Sequence, residues 1–208
     1  MTKIMHYTNW YRRIKKRGSA PYRLPPIARG GGSCFTTDGE VVIKGVLMRV
    51  LGIDPGYNII GYGVVDSVGN KVVDFGVITT PKNMSISNRL TTIYQATIEL
   101  METFKPDEVA FEELFFNTNN TTAIPVAEAR GVLIVASKQH TNRLFEYTPL
   151  QIKQALTGNG RAEKKQVQFM VKNILGLKET PKPDDAADAL AVALTHIQTN
   201  SVMSDNSI

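Results

Sequence analysis

Four acidic residues stand where a predicted strand ends or on one face of a predicted helix, which are positions that suit metal or acid-base chemistry. Asp54 directly follows the short apolar segment 49–53, and Glu112 ends a second apolar segment. Asp185 and Asp188 lie in an alanine-rich segment at a spacing that puts both on one helical face. Donors that offer only oxygen favour hard divalent cations such as Mg²⁺ or Mn²⁺ over zinc. The residue types therefore point to a magnesium site.

Carboxylates that meet in one cleft repel one another. At an effective dielectric constant near 20, each pair about 4 Å apart costs on the order of 4 kcal/mol. A bound divalent cation removes this cost, which favours a metal cage. Spacing alone leaves structural explanations open, because Asp54 before Pro55 suits a turn, and Asp184 and Asp185 suit the first turn of a helix. Asp188, one turn further along, is harder to explain in this way.

Hydrophobic patterns divide residues 48–208 into alternating strands and helices. The predicted strands are 49–53, 61–66, 71–79, 108–112 and 144–147, and the predicted helices are 85–104, 123–140, 164–175 and 184–198. The first three strands form an antiparallel meander, and the others are reached through helices. This order predicts an α/β domain with a mixed five-stranded sheet flanked by helices. If strands 49–53 and 108–112 are parallel neighbours, Asp54 and Glu112 project from the same edge of the sheet.

The first 47 residues differ from the rest in composition. They contain nine Lys and Arg against Asp38 and Glu40, whereas residues 48–208 contain 15 basic and 17 acidic residues. The net charge of +5 therefore says little about the folded part, and any DNA-binding surface there must be a local patch. Residues 1–47 show no sustained periodicity and are interpreted as disordered or as a non-native extension upstream of Met48. The predicted domain spans 48–208, with roughly the last ten residues as a flexible tail.

Composition also excludes several classes of protein. The longest apolar stretch, 41–53, is interrupted by Lys44 and Arg49 and is shorter than the roughly 20 residues that cross a bilayer, so no membrane association is expected. The single cysteine, Cys34, cannot form an intramolecular disulfide, and no Cys/His cluster has zinc-ligand spacing. These features favour a cytoplasmic location.

Four separated motifs carry a resemblance to a known family. They are MRVLGIDPGYNIIGYGVV at 48–65, AFEELFF at 110–116, ARGVLIVA at 129–136 and DDAADALAVALTH at 184–196. In this order they resemble the RuvC family of crossover junction endodeoxyribonucleases, across essentially all of 48–208. The resemblance implies a ribonuclease-H-like fold, a homodimer, and metal-dependent nicking of two opposed strands of a Holliday junction in DNA recombination and repair. Residues 1–47 have no counterpart in the family.

The resemblance also implies roles for individual residues. The acidic tetrad of the family falls on Asp54, Glu112, Asp185 and Asp188, and we hypothesise that they hold two Mg²⁺ ions per site, with Mn²⁺ able to substitute. Phe115 resembles the aromatic residue that contacts bases at the crossover, although Phe116 is a rival for that role and Phe115 also suits a core position. Lys153 and Lys164 resemble basic residues that contact DNA phosphate, although both also suit a solvated helix.

The resemblance implies partners as well. The substrate would be four-way junction DNA, and a branch-migration motor of the RuvA and RuvB type would act with the nuclease. The predicted helix after residues 117–122 resembles the dimer helix of the family, because it contains the small residues Ala127, Ala129, Gly131 and Ala136. Small residues at these positions also suit close packing within one monomer.

Two alternative functions remain open at the level of sequence. The segment from Gly52 to Gly63 is also similar to the phosphate-binding hairpin of the actin, heat-shock chaperone and sugar-kinase class of ATPases. Those proteins close two such domains over ATP, whereas 48–208 has room for one copy. The second alternative is a non-catalytic module that binds junctions, in which the acids are structural.

Overall fold

The computed structural model describes residues 4–6, 35–37, 40–42, 47–114, 123–200 and 208. The strands are β1 (Ile4–His6), β2 (Phe35–Thr37), β3 (Glu40–Val42), β4 (Arg49–Asp54), β5 (Ile59–Asp66), β6 (Lys71–Thr79), β7 (Glu108–Glu112) and β8 (Leu144–Tyr147). The α-helices are α1 (Ile86–Phe104), α2 (Ala123–Lys138), α3 (Pro149–Thr157), α4 (Lys164–Ile174) and α5 (Asp184–Asn200). Within these described ranges, none of the helices is long and apolar enough to cross a membrane.

The main sheet contains the five predicted strands in the order β6-β5-β4-β7-β8. Strands β4, β5 and β6 form the predicted antiparallel meander, and β7 and β8 join it as parallel neighbours of β4 and of each other. The mixed sheet that the sequence predicts is therefore confirmed.

Short strands also occur in the basic N-terminal segment, where the sequence shows no period. Strand β1 pairs in parallel with β6 and makes the sheet six-stranded, while β2 and β3 form a separate antiparallel pair. Three-residue strands are too short to produce a periodic signal, and β1 forms because an edge strand offers unpaired backbone groups. Whether residues 1–47 belong to the native protein stays a prediction.

Helix α1 shows how the sequence sets an element's position. Ser85 caps its first turn by accepting a hydrogen bond from the backbone N–H of Asn88, and Lys105 ends it in a left-handed conformation. Its buried side chains include Ile93, Ala96 and Leu100, which recur at helical spacing and face the sheet. The predicted range 85–104 therefore agrees with the structure.

Helix α3 was not predicted from the sequence. It has only nine residues, and its two buried side chains, Ile152 and Leu156, are too few to establish a period. Its start is nevertheless marked in the sequence: Thr148 and Gln151 form a reciprocal capping box, with Pro149 in the first turn. Capping chemistry rather than hydrophobic spacing predicts this helix.

Helices pack on both faces of the sheet, and the two faces differ in how closely the layers approach. On the face that α1 and α2 cover, large side chains such as Leu51, Ile53 and Leu100 fill the space. On the other face α5 lies directly against β4 and β5, because those strands present glycines to it. A Cβ atom on Gly52 or Gly61 would collide with the backbone of α5. The shape of the second face therefore depends on the absence of side chains.

Candidate active site

The sheet brings the first two acids together. Strand β4 pairs in parallel with β7, and Ile53 lies opposite Phe111, so the next residues, Asp54 and Glu112, leave adjacent strands at the same edge. Parallel neighbours lie about 4.8 Å apart, which places the two carboxylates within reach of one ion. The predicted juxtaposition of Asp54 and Glu112 is present.

Helix α5 adds the second pair of acids. It begins at Asp184, so Asp184 lies in its first turn, and the half-buried Asp185 and Asp188 follow. The backbone of Asp185 lies against Gly61 of β5, which places the start of α5 over the end of β4. We call Asp54, Glu112, Asp185 and Asp188 the acidic cluster.

Charge repulsion within the acidic cluster is visible in its proton affinities. Burial first, and then the charges of Glu112, Asp188 and Asp185, raise the pKa of Asp54 from its ordinary value of 3.8 to about 8. Burial and the charge of Asp188 raise the pKa of Glu112 from 4.5 to about 7. Burial likewise raises the pKa of Asp188. At neutral pH the cluster therefore favours a bound proton or another cation.

Two lysines border the acidic cluster. The Lys164 ammonium donates a hydrogen bond to Asp188 Oδ2 at 2.7 Å and lies 3.6 Å from Asp184 Oδ2. Partial burial alone would lower the pKa of Lys164, but its hydrogen bond and the charges of these aspartates raise it. The half-buried Lys153 on α3 lies near enough to Glu112 to lower the pKa of that carboxyl against the effect of burial. Both predicted lysines thus lie beside the acids.

Comparison with known proteins identifies the family. The family model described as crossover junction endodeoxyribonuclease RuvC matches residues 50–196, which include the whole acidic cluster. The chain belongs to the RuvC family. It is therefore an endonuclease of the Holliday junction resolvase class, which cleaves phosphodiester bonds.

Relatives of known name agree with this assignment. The RuvC protein of Alkaliphilus metalliredigens is 54% identical over 159 residues, covering 76% of this chain and 97% of its own length. The RuvC protein of Finegoldia magna is 56% identical over 152 residues, covering 72% of this chain and 93% of its own.

Solved structures of RuvC proteins show the same fold. The structure of Thermus thermophilus RuvC in complex with a Holliday junction substrate is 36% identical, with a TM-score of 0.71, and covers 77% of this chain and 99% of its own. The predicted ribonuclease-H-like fold is therefore confirmed. The yeast mitochondrial Holliday junction resolvase, 18% identical with a TM-score of 0.57, shares the fold over 74% of this chain and 81% of its own. The ATPase and non-catalytic alternatives are not favoured.

RuvC membership implies a dependence on divalent metal, and the donor set fits one. The acidic cluster offers only carboxylate oxygens, and the raised pKa values of Asp54 and Glu112 show that it is short of positive charge. In the part of the chain that the structure describes, no three His, Cys, Asp or Glu side chains already converge as a preformed metal site. One reason is visible: Lys164 holds Asp188 in an ion pair. A metal ion at this cluster would compete with Lys164 for Asp188.

Some predicted positions of RuvC type fall outside the described residues. Phe115 and its rival Phe116 lie in the gap 115–122, so their proposed contact with DNA stays a prediction. The predicted dimer helix is described from Ala123 onwards as α2. Of its small residues, Ala129 is buried whereas Gly131 is exposed. The helix therefore has both a core face and a free face.

A buried arginine that was not predicted from the sequence lies at the same edge of the sheet. Arg89 of α1 is 1% exposed and donates hydrogen bonds to Asn58 Oδ1 at 2.9 Å and to the Pro81 carbonyl at 2.6 Å. Its guanidinium also lies over the Tyr57 ring, 4.2 Å from the centroid. Arg89 thereby joins the loop after Asp54 to the loop after β6. Its place on the apolar face of α1, four residues before Ile93, is a signal that could have revealed it.

Proposed function

We propose that this protein makes paired, symmetric nicks in the opposed strands of a four-way DNA junction, using two Mg²⁺ ions held by the acidic cluster. The observation that carries the proposal is that Glu112, Asp185 and Asp188 lie near enough to Asp54 at one sheet edge for their charges to act on it, and burial together with these charges raises the pKa of Asp54 to about 8. Two divalent ions would activate water and stabilise the leaving 3′ oxygen of the scissile phosphate. Mn²⁺, which has similar ligand preferences, is expected to substitute.

The position of each residue in the cluster suggests its role. Asp54, between Glu112 on one side and α5 on the other, would contribute to holding both ions. Glu112 would hold one ion with it, and Asp188 with Asp185 would hold the other. Lys164, which pairs with Asp188, would supply positive charge that stabilises developing negative charge on the phosphate. Lys153, beside Glu112, contributes positive charge on the same side.

The family resemblance implies a homodimer, and helix α2 exposes an apolar surface that suits one. Helix α2 exposes Ile124 and Val135, which are 71% and 57% accessible. Together with the exposed Ala127 and Gly131, they recur at spacings of three and four residues and form one helical stripe. We propose that this stripe packs against its copy in a second chain. A two-fold dimer then presents two acidic clusters to the two symmetry-related strands of a junction.

The setting follows from the activity. A junction nuclease acts where chromosomal DNA is recombined and repaired, so we place the protein in the cytoplasm with a branch-migration motor of the RuvA and RuvB type. Recognition is expected to rest on junction shape and phosphate contacts, with Phe115 at the crossover. The exposed Arg161 and Lys165, which flank Lys164 in the chain, are further candidates for phosphate contact.

The test compares nicking and binding in one pair of variants. Asp54→Asn removes the carboxylate proposed to bridge the ions, and we expect it to lower the rate of Mg²⁺-dependent nicking by at least about 10³-fold while junction binding stays within about threefold. Asp184→Asn is the matched control, because it removes an exposed carboxylate at the start of α5 that is not one of the four proposed metal ligands. The measurement is gel analysis of a labelled mobile four-way junction and a linear duplex, with Mg²⁺ or chelator.

Two results would contradict the proposal. If Asp54→Asn nicks the junction as fast as the parent, the acidic cluster does not take part in the reaction. If the linear duplex is cleaved as fast as the four-way junction, the protein is not specific for junctions. Sedimentation of the same samples reports the oligomeric state, and a monomer at micromolar concentration would contradict the dimer alone.

A further inference from the structure

A buried polar network lies at the end of the sheet opposite the acidic cluster. His196 of α5 and Glu108 at the start of β7 are fully buried, and the His196 Nε2 atom forms a hydrogen bond with the Glu108 carboxylate. Tyr147, at the end of β8, contacts His196 Nδ1 through its hydroxyl at 2.7 Å. Arg143, whose side chain is 61% exposed, forms an ion pair with the other carboxylate oxygen of Glu108. We call Glu108, His196 and Tyr147 the buried triad.

One arrangement of protons suits these contacts. Nε2–H of His196 donates to the Glu108 carboxylate, and the Tyr147 hydroxyl donates to Nδ1, which is the acceptor in that tautomer. The Phe145 ring packs against the imidazole, with 4.4 Å between the ring centroids. The imidazole is therefore fixed in position from three sides. The mechanism proposed above uses none of these groups.

The triad and the acidic cluster connect the same two elements. Strand β7 carries Glu108 at its start and Glu112 at its end, a distance of about 13 Å for four strand steps. Helix α5 carries His196 and Asp188 eight residues apart, a distance of about 12 Å along its axis. Glu108 contacts His196, and the charge of Asp188 raises the pKa of Glu112. The helix therefore runs antiparallel to the strand, and the distance between its two residues matches the distance between the two glutamates.

The interactions between α5 and β7 are repulsive at the acidic cluster and attractive at the buried triad. At the acidic cluster, the Asp188 carboxylate on α5 repels those of Asp54 and Glu112 on the sheet and raises the pKa of both. At the buried triad, a carboxylate with no exposure to water requires its partners, so this end holds α5 against β7. A shift of one residue along α5 would separate His196 from Glu108 by about 1.5 Å and rotate it by about 100°.

We propose that the buried triad is a positioning device for the nuclease site, which fixes the register of α5 on β7 and so keeps Asp185 and Asp188 on the same side as Asp54 and Glu112. The inference rests on the proposed function, because it concerns how that site is held together. A triad that only stabilises the core would affect the unfolding temperature alone. A positioning triad also controls metal affinity, because misplaced ligands bind the ion more weakly.

The experiment measures Mg²⁺ and Mn²⁺ binding to the folded, junction-free full chain by calorimetry, below the unfolding temperature of every variant. His196→Phe keeps a ring of similar size next to Phe145 but removes both hydrogen bonds. We expect it to weaken metal binding by about tenfold or more, as is typical for groups that orient metal ligands without touching the ion. Amide exchange at 184–190 is expected to become faster in the metal-free protein.

Two further variants separate position from stability. Leu133→Ala creates a cavity under α2, on the opposite face of the sheet, and is expected to lower the unfolding temperature while metal affinity stays within twofold of the parent. Glu108→Gln keeps an acceptor for His196 Nε2–H at nearly the same shape, and we expect this variant to retain most of the metal affinity of the parent.

The outcomes are distinct. Metal affinity of His196→Phe within twofold of the parent would overturn the proposal, as would an equal loss in Leu133→Ala. If His196→Phe does not fold, Tyr147→Phe, which removes one hydroxyl, replaces it: a threefold or larger loss of affinity supports the proposal and no change overturns it. A parent chain that binds no divalent metal and nicks no junction would instead contradict the proposed function.

Discussion

The two faces of the central sheet are built in different ways. Helices α1 and α2 pack on one face through large aliphatic side chains such as Ile53, Leu100 and Leu133. Helix α5 packs on the other face through Ala189 and Ala193, whose backbone lies directly over Gly52. The first contact is a filled layer, and the second is a close approach of two backbones.

The difference agrees with the proposed location of the chemistry. A layer of large side chains tolerates small shifts, because side chains can adopt other rotamers. A backbone that rests on a glycine has a single spacing, so residues on that helix are held within a narrow range of positions. The face that holds α5 against β4 and β5 therefore suits the acidic cluster, whereas the α1 and α2 face supplies stability by burying apolar area.

The largest expected effect comes from adding a side chain to the close-approach face. In Gly61→Val the new Cβ would collide with the backbone of Asp185, so α5 must move away from β5. We expect a loss of about 3 kcal/mol of stability from overpacking and at least about a 100-fold loss of nicking, since a displacement near 1 Å has that effect in active sites. Urea unfolding and single-turnover nicking at 15 °C measure the two quantities. Wild-type nicking in a folded Gly61→Val protein would contradict this account of the α5 face.

Removing a side chain from the filled face gives the matching control. Leu100 is 1% exposed, and Leu100→Ala is expected to cost about 3 kcal/mol through lost burial and the cavity left behind. Because the cavity lies under α1, the acidic cluster keeps its geometry, and nicking at 15 °C should stay within about threefold of the parent. The same two assays apply. A loss of nicking as large as that of Gly61→Val would show that the two faces do not differ in function.

A smaller effect concerns the pH dependence of stability in the metal-free protein. The pKa of Asp54 is raised from 3.8 to about 8 by burial and neighbouring carboxylates, so the folded state holds its proton more tightly than the unfolded chain does. This contribution to stability is fully present below pH 4 and is lost as pH rises through about 8. Between pH 5 and pH 8 we expect a decrease of about 2 kcal/mol, in chelator, by urea unfolding.

Asp54→Asn supplies the control for that pH dependence, because it removes the titrating group. The variant should lose less stability over the same pH interval, and Mg²⁺ should restore the parent at pH 8 more than it restores the variant. Parallel curves for the two proteins in chelator would contradict the raised pKa of Asp54. Leu100→Ala, in contrast, should shift the whole curve down without changing its slope.

Most elements were predictable from sequence because their signals are local. Helix α1 has a cap at Ser85 and apolar residues at helical spacing, and β7 ends at Glu112 as predicted. Helix α3 was missed because nine residues hold too few apolar positions to establish a period. Strand β1 was missed because its pairing with β6 is a tertiary contact between segments about 70 residues apart.

The residues of the candidate site were predictable from the sequence, but their pKa shifts and ion pairs were not. Asp54, Glu112 and Asp188 follow from strand ends and helix spacing, and Lys153 and Lys164 from the family resemblance. The raised pKa values of Asp54, Glu112 and Asp188 and the ion pair between Lys164 and Asp188 depend on distances between separate elements, which no local pattern records. Arg89 was missed because a sequence does not show which polar residue is enclosed.

The sequence by itself determined which residues we propose for the chemistry, because residue type, strand ends and helical period are properties of short segments. Tertiary structure alone decided how they work together. It placed Gly61 under Asp185, so that α5 meets the sheet closely, and it joined Glu108 to His196 across 88 positions of the chain. These are contacts between distant segments, and their free energy arises only when the folded layers exclude water and fix the distances between charges.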